Sequence, residues 1–157
     1  MNKIDKDEEY MKLALNEAKK AYEMKEVPVG AVIVYEDKVI ASGFNMREIK
    51  NSALAHAEMI AINEACEYLK SWRLTGCNLY VTLEPCPMCA GAIINSRITR
   101  VIYGAKDFKA GSLGSVFDIF SFKFNHKPEI LSGVLERESA SLLQNFFRQV
   151  RDGNMKI

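Results

Sequence analysis

The sequence predicts a three-layer α/β/α domain around a mixed five-stranded sheet, and three observations carry that expectation. Short β-branched and aromatic runs alternate with stretches of helical periodicity, in the order α-β-β-α-β-α-β-loop-β-α. The chain has 157 residues, 48% of them hydrophobic, which is material for one core and a single domain over residues 1–157. No internal repeat, low-complexity run or linker breaks the pattern.

The elements follow in order. Met11, Ala14, Leu15, Ala18 and Tyr22 recur at helical spacing, with Asp5 and Glu8 placed for a capping box. Val27-Pro28-Val29-Gly30 ends that helix. Residues 31–35 and 39–44 are β-rich around the polar Glu36-Asp37-Lys38, the pattern of an antiparallel hairpin. After a polar loop, a second helix is expected over about 56–69. Residues 78–83 read as a third strand, 87–95 as a short helix and 100–103 as a fourth strand. These β-α-β steps call for parallel pairing. Residues 107–115, with Gly111 and Gly114, form a loop before a fifth strand at 130–134 and an amphipathic helix over 136–150.

No stretch approaches the roughly 20 apolar residues of a membrane span, so no membrane partner is expected. Residues 1–9 are polar and acidic, unlike a secretion signal or an Arg-rich transit peptide, and the expected location is cytoplasmic. Four cysteines stay reduced there, and the close pair Cys86/Cys89 suits a metal better than a disulfide. A net charge of +1 decides nothing about nucleic acid. Its distribution says slightly more: residues 97–157 hold 10 Lys+Arg against 6 Asp+Glu, whereas residues 1–96 hold 11 against 14. That is a weak basic footprint in the C-terminal part.

Two motifs carry chemistry: His56-Ala57-Glu58 and, about thirty residues on, Pro85-Cys86-Pro87-Met88-Cys89. Cys86 and Cys89 fall at a helix start, with Pro87 where a missing N–H costs nothing. Residues three apart on a helix share a face, and the positive helix end favours thiolate over thiol. His56 and Glu58 also fall at a helix start. Together they predict a zinc site with ligands His56, Cys86 and Cys89, and an open fourth position for water. Glu58, two positions from a ligand, is the candidate proton carrier.

Each piece has a duller reading. A lone C-x-x-C is a redox or buried apolar pair, a lone histidine a satisfied core residue, and a lone glutamate a charge at a helix start. Four protein ligands would make the zinc structural. Cys66 lies ten residues after His56 on one helix, roughly 15 Å along its axis. Cys77 lies at the far end of the strand leading to Cys86, roughly 20 Å away. Neither reaches. His126 lies far along the chain with no local ligand pattern, and helix or strand spacing sets no such distance for it.

H-x-E followed by P-C-x-x-C is the signature of zinc nucleobase deaminases. Here the likeness extends over nearly the whole chain, through Glu26-Val27-Pro28-Val29-Gly30-Ala31, Phe44-Asn45, the run from Leu79 to Gly91, Tyr103-Gly104-Ala105-Lys106-Asp107, Gly111-Ser112-Leu113-Gly114-Ser115, Asn125-His126 and Phe146-Phe147-Arg148. In these segments the chain resembles the bacterial tRNA-specific adenosine deaminases of the cytidine deaminase superfamily. The zinc motifs mark the superfamily; Gly104-Ala105-Lys106-Asp107 and its glycine-containing sequel look like the tRNA branch.

The resemblance implies a cytidine-deaminase-like fold, one Zn2+ per subunit on His56, Cys86 and Cys89, and proton transfer by Glu58. It implies that Val29 and Asn45 shape the base pocket, that Asp107 meets the nucleotide beside the base, and that His126, Phe147 and Arg148 contact tRNA. The implied reaction is hydrolysis of adenosine to inosine at the anticodon wobble position, usually of an arginine tRNA, by a homodimer. Ser52-Ala53-Leu54 stands where the family often has Asp-Pro-Thr, and Leu54 cannot cap the helix as threonine would.

Two other readings compete. A small-molecule deaminase acting on guanine or a cytosine compound would share the zinc motifs. A zinc-stabilised RNA-binding scaffold would not need Glu58. Phe146 and Phe147 offer a stacking face for RNA, yet with Leu142, Leu143 and Val150 they also make an ordinary apolar helix stripe, so core packing is expected for one of them.

Overall fold

The computed structural model describes residues 2–156. The chain runs α1 (Lys3–Glu23), β1 (Gly30–Tyr35), β2 (Lys38–Phe44), α2 (Ala57–Leu69), β3 (Cys77–Leu83), α3 (Pro87–Ser96), β4 (Arg100–Ala105), β5 (Glu129–Leu131) and α4 (Glu136–Arg151). The strands form one mixed sheet in the order β2-β1-β3-β4-β5. β1 pairs antiparallel with both β2 and β3, while β3–β4 and β4–β5 are parallel. Glu36 and Asp37 turn the β1–β2 hairpin with φ of 50° and 59°, the left-handed pair that a tight hairpin favours.

Alternation along the strands builds the three layers. Ala31 and Ile33, Leu79 and Val81, Val101 and Tyr103 face a core with Ala57, Ala61, Ala65, Ala90 and Ile93 of α2 and α3. Val32 and Val34, Tyr80 and Ile102 face the other way, against Met11 and Ala14 of α1. With both faces covered, the central strands read as continuous apolar runs. α4 packs beside α1, where Phe146 is fully buried and meets Tyr22 edge-on, centroids 5.5 Å apart.

Two glycines set how closely the helices lie on the sheet. A Cβ at Gly30 would collide with the α1 backbone at Ala14 and Ala18. A Cβ at Gly43 would meet the Ala57 carbonyl at 2.6 Å, so the first turn of α2 lies directly on β2. That contact fixes where the neighbouring His56 and Glu58 point.

Several local expectations are corrected. α1 is capped by Asn2, whose side chain accepts from the Asp5 N–H at 2.9 Å, so Asp5 and Glu8 lie inside the helix and form no capping box across its start. Leu54 does not occupy the cap position of α2; the cap is His56, and Leu54 is an exposed residue of the preceding loop. A threonine there would lie too early to cap. β5 stops at Leu131 because the chain turns away at Gly133, with φ of 83°. Residues 119–121 form an unforeseen 3-10 turn, capped by the Asp118 side chain on the Phe120 N–H. Among the described residues no helix is long and apolar enough to cross a membrane.

Candidate metal centre and pocket

Two helix N-termini face each other beyond the end of β3. His56 is the N-cap of α2 and Cys86 the N-cap of α3, both extended in backbone, with Pro87 opening α3. Neither side chain makes a capping bond to its own helix, which frees both to turn toward one point. Cys89, one turn into α3, is fully buried and joins them. His56 Nδ1 lies 3.6 Å from Cys86 Sγ and 3.6 Å from Cys89 Sγ.

The spacing fits zinc. Tetrahedral arms of about 2.3 Å to sulfur and 2.0 Å to nitrogen give N···S edges of about 3.6 Å. The donor set, one imidazole and two thiols with every ligand atom within 4.8 Å of the others, is the borderline-soft mixture that zinc prefers. Among the described residues neither Cys66 nor Cys77 joins the cluster. Cys66 lies against the Trp72 carbonyl and Cys77 is buried at the start of β3. His126 lies apart from it too, its Nε2 at 2.7 Å from the Ile98 carbonyl oxygen.

The electrostatics of the cluster are uneven. A hydrogen bond from Cys89, together with His56, pulls the Cys86 thiol down to about 4. Its hydrogen bond to Cys86, then burial, pushes Cys89 the other way. The Cys86 hydrogen bond raises His56 against the opposing effect of its burial. Glu58 is 4% exposed, and burial pushes its carboxyl up to about 7.

A pocket of about 200 Å³ opens on this cluster. His56, Glu58 and Cys86 line it, and so do Val29, Asn45 and Asp107 from three separate segments. Asn45 is held by its neighbours: its amide donates to the Val27 carbonyl at 3.1 Å, and its side-chain oxygen accepts from the Arg47 N–H at 3.1 Å. Asp107 Oδ1 accepts from the Lys109 and Ala110 N–H groups at 3.0 and 3.1 Å, which rounds off the loop beside the pocket. His126, Phe147 and Arg148 do not line the pocket. Phe147 is 40% exposed, so the aromatic pair divides into a buried Phe146 and an outward Phe147. Arg148 is exposed on the same helix.

Two further carboxylates have roles that the sequence does not announce. Glu26, 1% exposed, accepts from the Glu48 and Ile49 N–H groups at 3.0 and 2.9 Å and so pins the loop that carries Asn45 and Arg47. Glu84, 2% exposed, lines the pocket and binds the 107–115 loop. The only signal in the chain is a lone acidic residue at the edge of an apolar run, which says nothing of its distant partners.

A His/Cys/Cys cluster able to hold a metal, with the buried Glu58 beside it, fits the H-x-E and P-C-x-x-C signature of nucleobase deaminases. The family model described as MafB19-like deaminase matches residues 5–151. The tRNA-specific adenosine deaminase of Bacillus subtilis (strain 168) is 52% identical over 149 residues, covering 94% of this chain and 92% of the relative. That of Rickettsia bellii (strain RML369-C) is 49% identical over 145 residues, 90% of this chain and all of the relative. A solved structure from studies of A-to-I editing by tRNA:A34 deaminases at the wobble position superposes with a TM-score of 0.84 at 48% identity, covering 86% of this chain and 99% of that one. A guanine deaminase from Bacillus subtilis superposes less well, with a TM-score of 0.63 at 38% identity over 82% of this chain and 79% of that one. The chain belongs to the bacterial tRNA-specific adenosine deaminases, within the MafB19-like deaminase family.

Proposed function

We propose that this protein hydrolyses adenosine to inosine at the wobble position of a tRNA anticodon, releasing ammonia, with an arginine tRNA as the first substrate to test. The observation that carries the reading is the buried Glu58 on the same pocket as His56 and Cys86, in a chain about half identical to tRNA-specific adenosine deaminases. His56, Cys86 and Cys89 would hold one zinc ion per subunit. Bound there, zinc supplies the Lewis acidity that makes water a nucleophile near neutral pH. Glu58 takes one proton from the attacking water and delivers it to N1 of adenine, then takes the second from the hydroxyl now on C6 and delivers it to the leaving amine, so that ammonia departs as the C6 carbonyl forms. Val29 and Asn45 shape the walls around the base, and Asp107 meets the nucleotide beside it.

The substrate must present an unpaired base, because a duplex buries C6 and its amine in pairing and stacking. An anticodon loop does so without the full cost of unpairing. His126, Phe147 and Arg148 are assigned to the surrounding RNA; Phe147 and Arg148, side by side on α4, provide an exposed ring for stacking and a cation for phosphate. The enzyme acts as a cytoplasmic homodimer; the exposed Leu54, Phe108 and Val116 supply apolar surface for association.

The second reading is a purine-base deaminase, favoured by the superposition on guanine deaminase. Incubating the zinc-loaded protein with an anticodon stem-loop, guanine, cytosine and cytidine in parallel tests both. Inosine in the stem-loop alone supports the first reading, and turnover of a free base replaces it.

A further inference from the structure

Glu84 is the last residue before Pro85 and the ligand Cys86, and its carboxylate is buried without any cationic partner in hydrogen-bond reach among the described residues. Four donors converge on it, all from one loop. Oε1 accepts from the Asp107 N–H at 3.2 Å and from the Ser115 hydroxyl; Oε2 accepts from the Leu113 N–H at 2.9 Å and the Ser115 N–H at 3.2 Å. The neighbouring Pro85 carbonyl takes two more, from Ser112 N–H at 3.0 Å and Ser112 Oγ at 2.8 Å. Gly111 is packed against the carboxylate so closely that a Cβ would collide with it. The loop from 107 to 115 is thus anchored at both ends and the middle to the two residues that lead into the metal ligands.

A carboxylate is needed here because it only accepts. The amide of glutamine would turn its NH₂ against N–H or O–H donors in either orientation, leaving buried donors unsatisfied. Since the carboxylate binds the Asp107 amide directly, it ties Asp107 to the segment that carries Cys86, and both residues line one pocket. We propose that Glu84 is a positioning residue: it locks the 107–115 loop, and through it Asp107, onto the metal-ligand segment so that the nucleotide is held in register with the reacting base. This rests on the reading above in which Asp107 meets the substrate nucleotide.

The test compares zinc-loaded wild type with Glu84→Gln by stem-loop kinetics, zinc content and amide hydrogen exchange. The expected result is a KM raised about tenfold or more, kcat within about threefold and zinc content unchanged. Exchange rises about tenfold at the 107–115 amides and not in the sheet. Ser115→Ala, which removes one donor of the four, raises KM by about twofold to fivefold and keeps the test open should Glu84→Gln fail to fold. An unchanged KM in a folded variant overturns the proposal, as does an exchange rise spread through the sheet together with loss of zinc. If the wild type itself leaves the stem-loop unaltered, the substrate reading fails. The exchange experiment uses no substrate and then still decides whether Glu84 holds the loop.

Discussion

Arg100 on β4 and Asp7 on α1 meet in a two-pronged ion pair, both N···O distances 2.7 Å, in side chains 8% and 4% exposed. The Tyr80 hydroxyl donates at 2.7 Å to Asp7 Oδ1, the oxygen that also accepts from Arg100 Nη1. Burial works to raise the Asp7 carboxyl, but the hydrogen bonds from Arg100 and Tyr80 and the guanidinium charge outweigh it, and Asp7 ends below its ordinary 3.8. Because the folded value is the lower one, the pair's contribution is complete above the unfolded value near 3.8 and disappears as pH falls through the folded value.

Asp7→Ala leaves a buried guanidinium without its partner and is expected to cost about 3–5 kcal/mol at neutral pH. Urea unfolding of wild type and variant at about pH 7 and about pH 3 checks both parts, since the gap between them should narrow at the acidic pH. An equal gap at both would contradict the assigned charge state.

Glu58→Ala should fold and retain zinc while losing about 10²- to 10⁴-fold in turnover, the usual contribution of a positioned proton carrier. Metal analysis beside single-turnover rates on the stem-loop checks it. A variant of near wild-type rate removes Glu58 from the chemistry.

Cys86→Ala should differ from Glu58→Ala in losing zinc as well as activity. Chelation of the wild type should likewise abolish turnover, while far-UV circular dichroism stays near native because the core around Ile33, Leu79, Val81 and Ile93 includes none of His56, Cys86 and Cys89. Unfolding on chelation would instead identify a structural zinc.

Phe146→Ala should cost about 3–5 kcal/mol, since it empties a fully buried aromatic site against Tyr22. Phe147→Ala should cost about 1 kcal/mol or less and raise the KM for the stem-loop. Denaturant midpoints and KM values for the two variants, side by side, separate packing from RNA contact.

What the sequence reveals and what it hides divides by range. The gathering of His56, Cys86 and Cys89 into one cluster, with Glu58 beside it, is legible because these residues stand at short spacings at helix starts, and the order of elements is legible because periodicity switches between them. Glu84 and Glu26 are not legible as loop anchors, since each gains its meaning from backbone donors more than twenty residues away. The Asp7–Arg100 pair, 93 residues apart, is hidden for the same reason. The ends of α2 and α3 are also poorly marked, because Lys70 and Arg97 take the left-handed stop conformation in place of glycine. Asn2 displaced the expected capping box by lying three residues before Asp5, with a side chain that reaches its N–H first.

The most direct measurement is sequencing of a complete arginine tRNA after incubation with the zinc-loaded protein, reading inosine at every adenosine position. Conversion is expected at the wobble adenosine alone, abolished by Glu58→Ala. Conversion elsewhere in the tRNA, or none while a free purine base is turned over, would contradict that.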